Sequence, residues 1–247
     1  MQSYTNNYIN QHKNNTFERY LSELRLDKVS NILNIYKPKC VLDIGIGVYP
    51  IYLKYRDYAI YSGIDQSREL CTISFKKLLE KKYYSKHKIT SIVCGDCENE
   101  LEIACKYSAV YDFIVLNSIL HFIKYPKLFL ENLKKCMSKK SIIYINVPNS
   151  RSLHRNLGLK MGTIQDIYEL SEMDIKFGQI NRFCLYTLKE LIDTCGFKIL
   201  FDGTFCMKPF SEDQMNVIIN DKLFCGLDSL SNLFPSYGCE IYMGITK

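Results

Sequence analysis

The sequence predicts an α/β fold, with a mostly parallel sheet of seven strands, helices on both faces, an antiparallel last strand and helical lid insertions. Short apolar runs alternate with helical patterns up to Pro148, which is typical of a parallel sheet covered on both faces. One of these runs ends in an acidic residue followed by a glycine turn. Two more apolar runs near the C-terminus, joined by a long connection, predict a closing antiparallel pair.

The predicted elements begin after a polar, Asn-rich stretch at 1–15, which we interpret as an arm or a cap. Apolar residues recur at helical spacing from Thr16 to Ile35, and Pro38 ends this helix. Five apolar runs then predict strands at 40–44, 59–64, 88–94, 111–116 and 141–147. The patterns between them predict helices near 50–56, 67–82, 98–106 and 125–137.

After Pro148 the strand–helix rhythm changes. Residues 187–195 predict a helix with Thr187 as N-cap and Gly196 as its stop, followed by a strand at Phe197–Phe201. The run Glu240–Thr246 predicts the last strand. Without a repeat or a linker, we interpret residues 1–247 as one domain. Its parts are the arm and helix at 1–37, a ligand-binding half at 38–148, and lid insertions at 149–186 and 203–236.

Composition excludes several classes of protein. No apolar run approaches the roughly 18–20 residues of a membrane span, and the polar start lacks the features of a signal peptide, so we expect a cytoplasmic protein. The net charge of +6 is spread over scattered lysine pairs, which argues against nucleic-acid binding. Cys94 and Cys97 have CxxC spacing, but no second pair or nearby histidine completes a zinc site, so we expect no metal.

Three carboxylates follow the first three predicted strands, at Asp43, Asp65 and Asp96. Asp43 opens the glycine turn that contains Gly45 and Gly47, where bare backbone can approach a ligand. In an open α/β sheet the ligand crevice lies outside the carboxyl ends of the strands. Asp65 follows the turn at a distance at which an acid can bind ribose hydroxyls, and Asp96 can reach an adenine. The alternative is that each aspartate only caps the next helix.

These residues resemble the successive motifs of class I S-adenosylmethionine-dependent methyltransferases, a likeness that extends from about residue 38 to the C-terminus. The segments that carry it are Val41–Gly47, Gly63–Asp65, Gly95–Asp96 and Tyr111–Ile123. The resemblance implies a Rossmann-like fold that binds S-adenosylmethionine and releases S-adenosylhomocysteine. The implied cofactor-binding residues are Asp43, Gly45 and Gly47 around the methionine, Asp65 with Gln66 at the ribose, Asp96 with Cys97 at the adenine, and Asn117 at the methionine carboxylate.

Two positions depart from the pattern of this family. Tyr49 stands where the family usually has a third glycine, and His121-Phe122 replaces a frequent Glu-His pair. An NAD-binding interpretation is weaker, because the dinucleotide fingerprint needs that third glycine for helix packing. A sulfonium cofactor instead suits a pocket lined by carboxylates and aromatic rings.

The second half resembles a subgroup of these methyltransferases found in bacterial surface-polysaccharide, capsule and glycan biosynthesis. The segments Val147–Gly158, Asn181–Tyr186 and Cys206–Ser211 carry this likeness. An oxygen acceptor or a protonated nitrogen needs a base, and His121 and His154 are the histidines available for catalysis. The expected substrate-binding residues are Asn149, Arg155, Arg182, Tyr20 and Tyr186. Each histidine or arginine can instead have a purely structural partner.

The sequence therefore predicts methyl transfer to an oxygen or nitrogen of a small acceptor such as a sugar, a sugar phosphate or another glycan precursor. A non-catalytic, cofactor-binding partner subunit is an alternative, and RNA methylation is a weaker one. The expected partners are the small acceptor and either a second copy of the chain or a paired methyltransferase subunit.

Overall fold

The computed structural model describes residues 16–80, 89–99 and 110–247, together with Ile9 and His12. Its strands are β1 (Cys40–Ile44), β2 (Ile60–Asp65), β3 (Ile89–Cys94), β4 (Tyr111–Asn117), β5 (Met137–Pro148), β6 (Lys198–Phe205) and β7 (Glu240–Thr246). Its helices are α1 (Phe17–Tyr36), α2 (Arg68–Leu78), α3 (Pro126–Leu133), α4 (Leu153–Met161), α5 (Glu172–Lys176), α6 (Leu185–Thr194), α7 (Glu212–Ile218) and α8 (Asp221–Ser231).

The seven strands form one sheet in the order β3-β2-β1-β4-β5-β7-β6. Strands β1 to β5 are paired in parallel, whereas β7 is antiparallel to both β5 and β6. The last strand of the chain therefore lies between β5 and β6. This arrangement confirms the predicted mostly parallel sheet with an antiparallel last strand.

Successive strand residues point to opposite faces and build a core on each. On one face Leu42, Ile114 and Ile143 are buried in a cluster with residues of α3 and α6. On the other face Val41 and Phe113 are buried with residues of α1. Helix α1 begins after Thr16, whose hydroxyl accepts a hydrogen bond from the Arg19 backbone N–H.

Several predicted boundaries differ from the structure. The predicted helix at 125–137 ends at Leu133, a 3-10 turn spans Lys134–Cys136, and β5 already begins at Met137, which pairs with Tyr111. The predicted helix at 50–56 is only a 3-10 turn at Ile51–Leu53. The predicted arm, apart from Ile9 and His12, lies outside the described residues, as do positions 100–106 of the predicted helix at 98–106.

The predicted N-cap of α6 is wrong by three positions. The N-cap is Cys184, and Thr187 is the third helical residue, whose side chain bonds back to the Cys184 backbone N–H at 3.0 Å. Sequence reasoning favoured threonine because its hydroxyl is a stronger hydrogen-bonding group than a thiol. At the other end, Gly196 follows the helix with φ +67°, in agreement with the predicted stop.

In the part of the chain that the structure describes, every helix is too short or too polar to cross a membrane.

Candidate functional site

The strand order reverses its direction between β1 and β4, which places a crevice at their carboxyl ends. The turn after β1 enters this crevice. Gly45 and Gly47 have φ values of +76° and +53°, in the left-handed region that favours glycine. A Cβ atom on Gly45 would lie only 3.0 Å from Cδ1 of Ile119, which follows β4. The two glycines therefore allow the turn and the segment after β4 to approach each other closely.

Asp65 at the end of β2 ties this turn to the neighbouring strand. Its Oδ2 accepts a hydrogen bond from the Gly47 backbone N–H at 2.9 Å, and its Oδ1 accepts one from the Ser67 N–H at 2.8 Å. Burial raises the pKa of the Asp65 carboxyl. Because each carboxylate oxygen has a second lone pair, these contacts leave acceptor capacity for ribose hydroxyls.

Asp43 is buried beneath the turn. Its Oδ2 accepts hydrogen bonds from the Ile51 backbone N–H at 3.0 Å and from the Tyr61 hydroxyl at 2.7 Å. Burial raises the pKa of Asp43 to about 6, against the opposing effect of these two donors. These contacts give Asp43 a structural task, which is to connect the glycine turn with β2 and with the 3-10 turn at Ile51–Leu53.

Tyr49 occupies the position of the usual third glycine without strain, because its φ is negative. Its ring is half-buried, with its centroid 5.7 Å from that of His12. Its hydroxyl bonds to Arg19 of α1, although burial raises its pKa overall. The side chain therefore connects the glycine turn to α1 and to the segment before it.

The residues predicted at the adenine follow β3, and Gln66, predicted at the ribose, follows β2. Asp96 is exposed, and its Oδ1 accepts a hydrogen bond from the Glu98 backbone N–H at 2.8 Å, as expected for a cap. Cys97 is partly buried, and burial raises its pKa to about 12. Gln66 is exposed, and Cys94 Sγ lies 3.8 Å from its carbonyl oxygen. Within the described residues, no group of three or more potential ligands could hold a metal ion.

The segment after β4 carries the first sign of a binding site. Asn117 Oδ1 is buried and has no hydrogen-bond partner among the described residues. Ser118 has φ +57°, a strained value for a residue other than glycine, and its N–H donates to the Asn146 carbonyl on β5 at 3.0 Å. Unpartnered buried polar atoms and backbone strain are both features of binding sites.

His121 is buried behind this segment. Its backbone carbonyl accepts hydrogen bonds from the N–H groups of Ile180 and Asn181, so the first lid insertion closes over it. Its Nδ1 is buried and has no partner among the described residues. Burial, aided by the positive charges of Arg25 and Arg182, lowers the pKa of His121 to about 3. The imidazole is therefore neutral near pH 7 and can accept a proton or a hydrogen bond.

Sequence reasoning missed a buried ion-pair triad beside His121. Arg25 on α1 donates from Nη1 to Glu18 Oε1 and from Nη2 to Glu240 Oε1 at the start of β7, both at 2.6 Å. Arg25 Nε and Glu240 Oε2 are buried without a partner among the described residues. Glu18 and Arg25 are seven positions apart, which places them on one face of α1, but no sequence signal connects α1 with Glu240.

Arg182 lies in the same region as His121, where its positive charge contributes to the low pKa of the histidine. It forms an ion pair with Asp174 of α5, and its Nε is buried without a partner among the described residues. We call Arg25, Asn117, His121, Arg182 and Glu240 the inner polar cluster, because each has a buried polar atom that no described residue satisfies.

Two of the remaining predicted substrate residues are fully engaged in holding loops. Asn149 donates to the carbonyls of Ser236 and Gly238, and its Oδ1 accepts from the Arg151 N–H. Arg155 donates to the carbonyls of Ile167 and Glu169 at 2.8 and 2.6 Å. Asn149 therefore ties the start of the first lid insertion to the end of the second, and Arg155 ties together two parts of the first insertion.

The other predicted residues lie apart from the inner polar cluster or are bonded elsewhere. His154 Nδ1 lies 3.0 Å from Ser152 Oγ, and burial together with the charge of Lys208 lowers its pKa to about 2. The Tyr20 hydroxyl donates to Asp221 at 2.6 Å, and Tyr186 is 64% exposed on α6.

The sequence matches a family model described as a methyltransferase domain over residues 17–200, about three quarters of the chain. The chain belongs to this methyltransferase family. The glycine turn, the acids at the strand ends and the segment after β4 lie within the matched residues. A comparison of the whole sequence with curated proteins found no match.

Solved structures of methyltransferases share the fold of this methyltransferase. The plantazolicin methyltransferase BamL, solved with a triazolic desmethylPZN analogue and S-adenosylhomocysteine, is 20% identical, with a TM-score of 0.60 over 93% of this chain and 87% of that one. Magnesium protoporphyrin IX methyltransferase from Synechocystis, with bound S-adenosylhomocysteine, is 13% identical, with a TM-score of 0.57 over 90% and 81%. A putative methyltransferase of Haloferax volcanii, solved with the Trm112 activator, is 12% identical, with a TM-score of 0.52 over 83% and 80%.

The family match makes the protein a methyltransferase, and its fold is one in which solved methyltransferases hold S-adenosylhomocysteine. The residues present fit S-adenosylmethionine, the cofactor that the sequence predicts. Asn117 Oδ1 is an unsatisfied acceptor to which the ammonium group of the cofactor's methionine could donate, and Gly45 and Gly47 leave backbone accessible in the turn after β1. When bound, the cofactor supplies an electrophilic methyl group on a sulfonium.

Proposed function

We propose that this methyltransferase methylates an oxygen or nitrogen of a small polar acceptor, of the class of sugars, sugar phosphates and glycan precursors used for surface polysaccharides. The observation that carries the proposal is the inner polar cluster next to the cofactor crevice. Five side chains, each with a buried donor or acceptor atom that lacks a partner among the described residues, cost free energy in the protein alone, and a polar acceptor would satisfy them. An apolar acceptor would leave that cost in place.

The cofactor would lie across the carboxyl ends of β1, β2 and β4. We assign the ribose hydroxyls to Asp65 with Gln66, the adenine to Asp96 with Cys97, and the methionine end to Asn117 and the backbone of Gly45 and Gly47. In this assignment Asp43 does not contact the cofactor but supports the glycine turn, because it accepts hydrogen bonds from the Ile51 N–H and the Tyr61 hydroxyl. Its contribution is to hold the glycine turn in its binding conformation.

His121 is the base that we favour. It is buried directly after the cofactor segment, its Nδ1 is unpartnered among the described residues, and its low pKa keeps it unprotonated. A base with a low pKa is adequate here, because the proton of an acceptor becomes strongly acidic as the new bond to carbon forms. His154 is less suited to this role because its Nδ1 is already paired with Ser152.

Positioning of the acceptor is the main catalytic task, because methyl transfer is an in-line displacement whose rate depends on alignment. Arg182, held by Asp174 of the first lid insertion, is placed to bind the acceptor. Tyr20 on α1 is a further candidate for a contact to the acceptor, although its hydroxyl donates to Asp221 in this structure. Closure by these elements would also exclude water from the reacting atoms.

A non-catalytic partner subunit is the second hypothesis, and the Haloferax complex shows that a protein of this fold can bind an activator. We also propose that the protein is cytoplasmic and that it forms a homodimer or pairs with a second methyltransferase subunit. An active methyltransferase and a non-catalytic partner subunit differ in one measurable respect. The enzyme would bind the cofactor and turn it over, whereas the partner subunit alone would bind the cofactor without turnover. RNA methylation would require strongly salt-dependent binding to RNA.

Calorimetry with S-adenosylmethionine tests the cofactor assignment. We expect binding by the wild type, loss of affinity by at least about tenfold in Asp65→Ala, and no change in Asp193→Ala, which alters an exposed aspartate on α6. Absence of binding by the wild type would refute the function. Formation of S-adenosylhomocysteine with neutral, phosphorylated and nucleotide-linked sugars then tests the acceptor class.

A further inference from the structure

The pairing of Arg25 with Glu240 defines a feature that the family resemblance does not assign. Both side chains are nine-tenths buried or more, and each keeps one atom free of partners among the described residues, Nε on Arg25 and Oε2 on Glu240. The ion pair at 2.6 Å fixes the two groups side by side. The pair therefore presents one hydrogen-bond donor and one acceptor at a fixed spacing.

The pair belongs to the region that also contains His121. Among the charged groups, Arg25 has the largest effect on the pKa of the imidazole and lowers it, and Glu18 has a smaller opposing effect. Glu240 lies beside Asn146, which is paired in register with Asn117 across β4 and β5. An acceptor whose reacting atom lies at His121 would thus have its neighbouring substituents at Arg25 and Glu240.

The charges around the cluster select the chemistry of those substituents. A phosphate or carboxylate would lie against Glu240, whose neighbour Glu18 is also acidic, and would be repelled. An ammonium would lie against Arg25, with the charge of Arg182 also nearby. An uncharged hydroxyl can donate to a carboxylate oxygen and accept from a guanidinium without either penalty.

We propose that Arg25 and Glu240 are substrate-binding residues that recognise adjacent uncharged hydroxyl groups of the acceptor, one accepting from Arg25 Nε and the other donating to Glu240 Oε2. This proposal rests on the proposed function and narrows it to O-methylation of a polyhydroxyl compound. A third hydroxyl of the acceptor is the one that is methylated, and it loses its proton to His121 Nδ1 as its oxygen lone pair bonds to the methyl carbon. The carbon–sulfur bond breaks with its electron pair remaining on sulfur, which leaves the neutral thioether.

The test uses the full chain saturated with S-adenosylhomocysteine and three probes that share one ring, namely glucose, glucosamine and glucuronate. Saturation-transfer NMR should detect glucose most strongly, and a panel of other neutral hexoses and pentoses extends the comparison. Glu240→Gln keeps an oxygen for Arg25 but replaces the free acceptor by a donor, and it should weaken sugar binding about tenfold. Calorimetric binding of S-adenosylhomocysteine should remain unchanged.

Two further variants keep the result interpretable. Arg25→Lys retains the positive charge and the ion pair but removes the Nε donor, so it should also weaken sugar binding. This variant supplies an independent test in case Glu240→Gln does not fold. Glu172→Gln, on the exposed surface of α5, is the matched control and should bind sugar normally.

Tighter binding of glucosamine or glucuronate than of glucose would overturn the proposal, as would equal sugar binding by Glu240→Gln. Failure of every neutral sugar to bind the wild type would also overturn it. Intact binding of S-adenosylhomocysteine in these cases leaves the methyltransferase function standing, whereas its absence would refute the proposed function itself.

Discussion

Arg25 on α1 and Glu240 at the start of β7 are 215 positions apart in the chain, yet their side chains meet at 2.6 Å in the interior. The contact joins α1 to the last strand, and the charge of Arg25 acts on His121. It therefore links the stability of the fold to the geometry of the proposed acceptor site.

Removal of Arg25 should be strongly destabilising. Arg25→Ala leaves Glu240 and Glu18 buried without their cation, and breaking a buried ion pair in this way typically costs about 3–5 kcal/mol. Urea denaturation monitored by circular dichroism measures the change. Lys54→Ala is the control, because its ion pair with Asp27 is about half exposed and should contribute under about 1 kcal/mol. Similar losses in both variants would contradict the prediction.

Asp43 should make stability depend on pH in a specific direction. Its pKa is about 6 when folded and 3.8 in the reference state, so between these values the folded protein binds more protons than the unfolded chain. The free energy of unfolding should therefore fall as pH rises from about 4 to 6, by roughly 3 kcal/mol from this group.

The Asp43→Asn variant tests this pH dependence, because it removes the titration while keeping an oxygen for Ile51 and Tyr61. Its free energy of unfolding, measured in urea at several pH values, should lack this decline. Asp193→Asn, at an exposed position, should retain it. A decline of equal size in Asp43→Asn would show that another group is responsible.

Tyr49 should contribute to folding rather than to cofactor affinity. Tyr49→Ala removes a half-buried ring that contacts His12 and Arg19, and it should cost about 1–2 kcal/mol of unfolding free energy. Calorimetric affinity for S-adenosylmethionine should remain near that of the wild type. Tyr186→Ala, at a 64% exposed position, should change stability by less than about 0.5 kcal/mol. A normal stability with lost cofactor binding would place Tyr49 in the cofactor site instead.

Gly45 should tolerate no side chain. Gly45→Ala imposes a left-handed conformation on alanine, at about 1–2 kcal/mol, and also brings its Cβ to 3.0 Å from Ile119. Gly162→Ala is a matched control, since Gly162 has φ +72° but no atom within 4 Å of an added Cβ. Thermal unfolding should show a larger loss for Gly45→Ala, and only this variant should lose affinity for the cofactor. Equal losses would mean that crowding by Ile119 is unimportant.

Local patterns were sufficient to predict the strands and the glycine turn. The run that forms β1, for example, was predicted with its exact bounds, because a buried strand is a short apolar segment between turn signals. The start of β5 was missed, since residues 138–140 are polar and exposed, and their strand conformation depends on pairing with neighbouring chain segments.

Part of the site could be predicted from the sequence, and part could not. The aspartates and glycines of the crevice follow strand ends, so their neighbourhood could be inferred from topology alone. Arg25 and Glu240 could not, because their proximity depends on how α1 packs and on where β7 enters the sheet. Likewise, the pairing of Asn149 and Arg155 with loop carbonyls follows from lid conformations that no local pattern encodes.

The position of β7 between β5 and β6 has a consequence for synthesis on the ribosome. The ribosome makes β6 before β7, but β7 is the only strand with which β6 pairs in the described sheet. Strand β7 also contains Glu240, which binds Arg25. A nascent chain that stops short of residue 240 must therefore keep the outer edge of β5 and all of β6 unpaired. Such edges favour association with other chains, so the growing protein should depend on protection from aggregation until its last strand emerges.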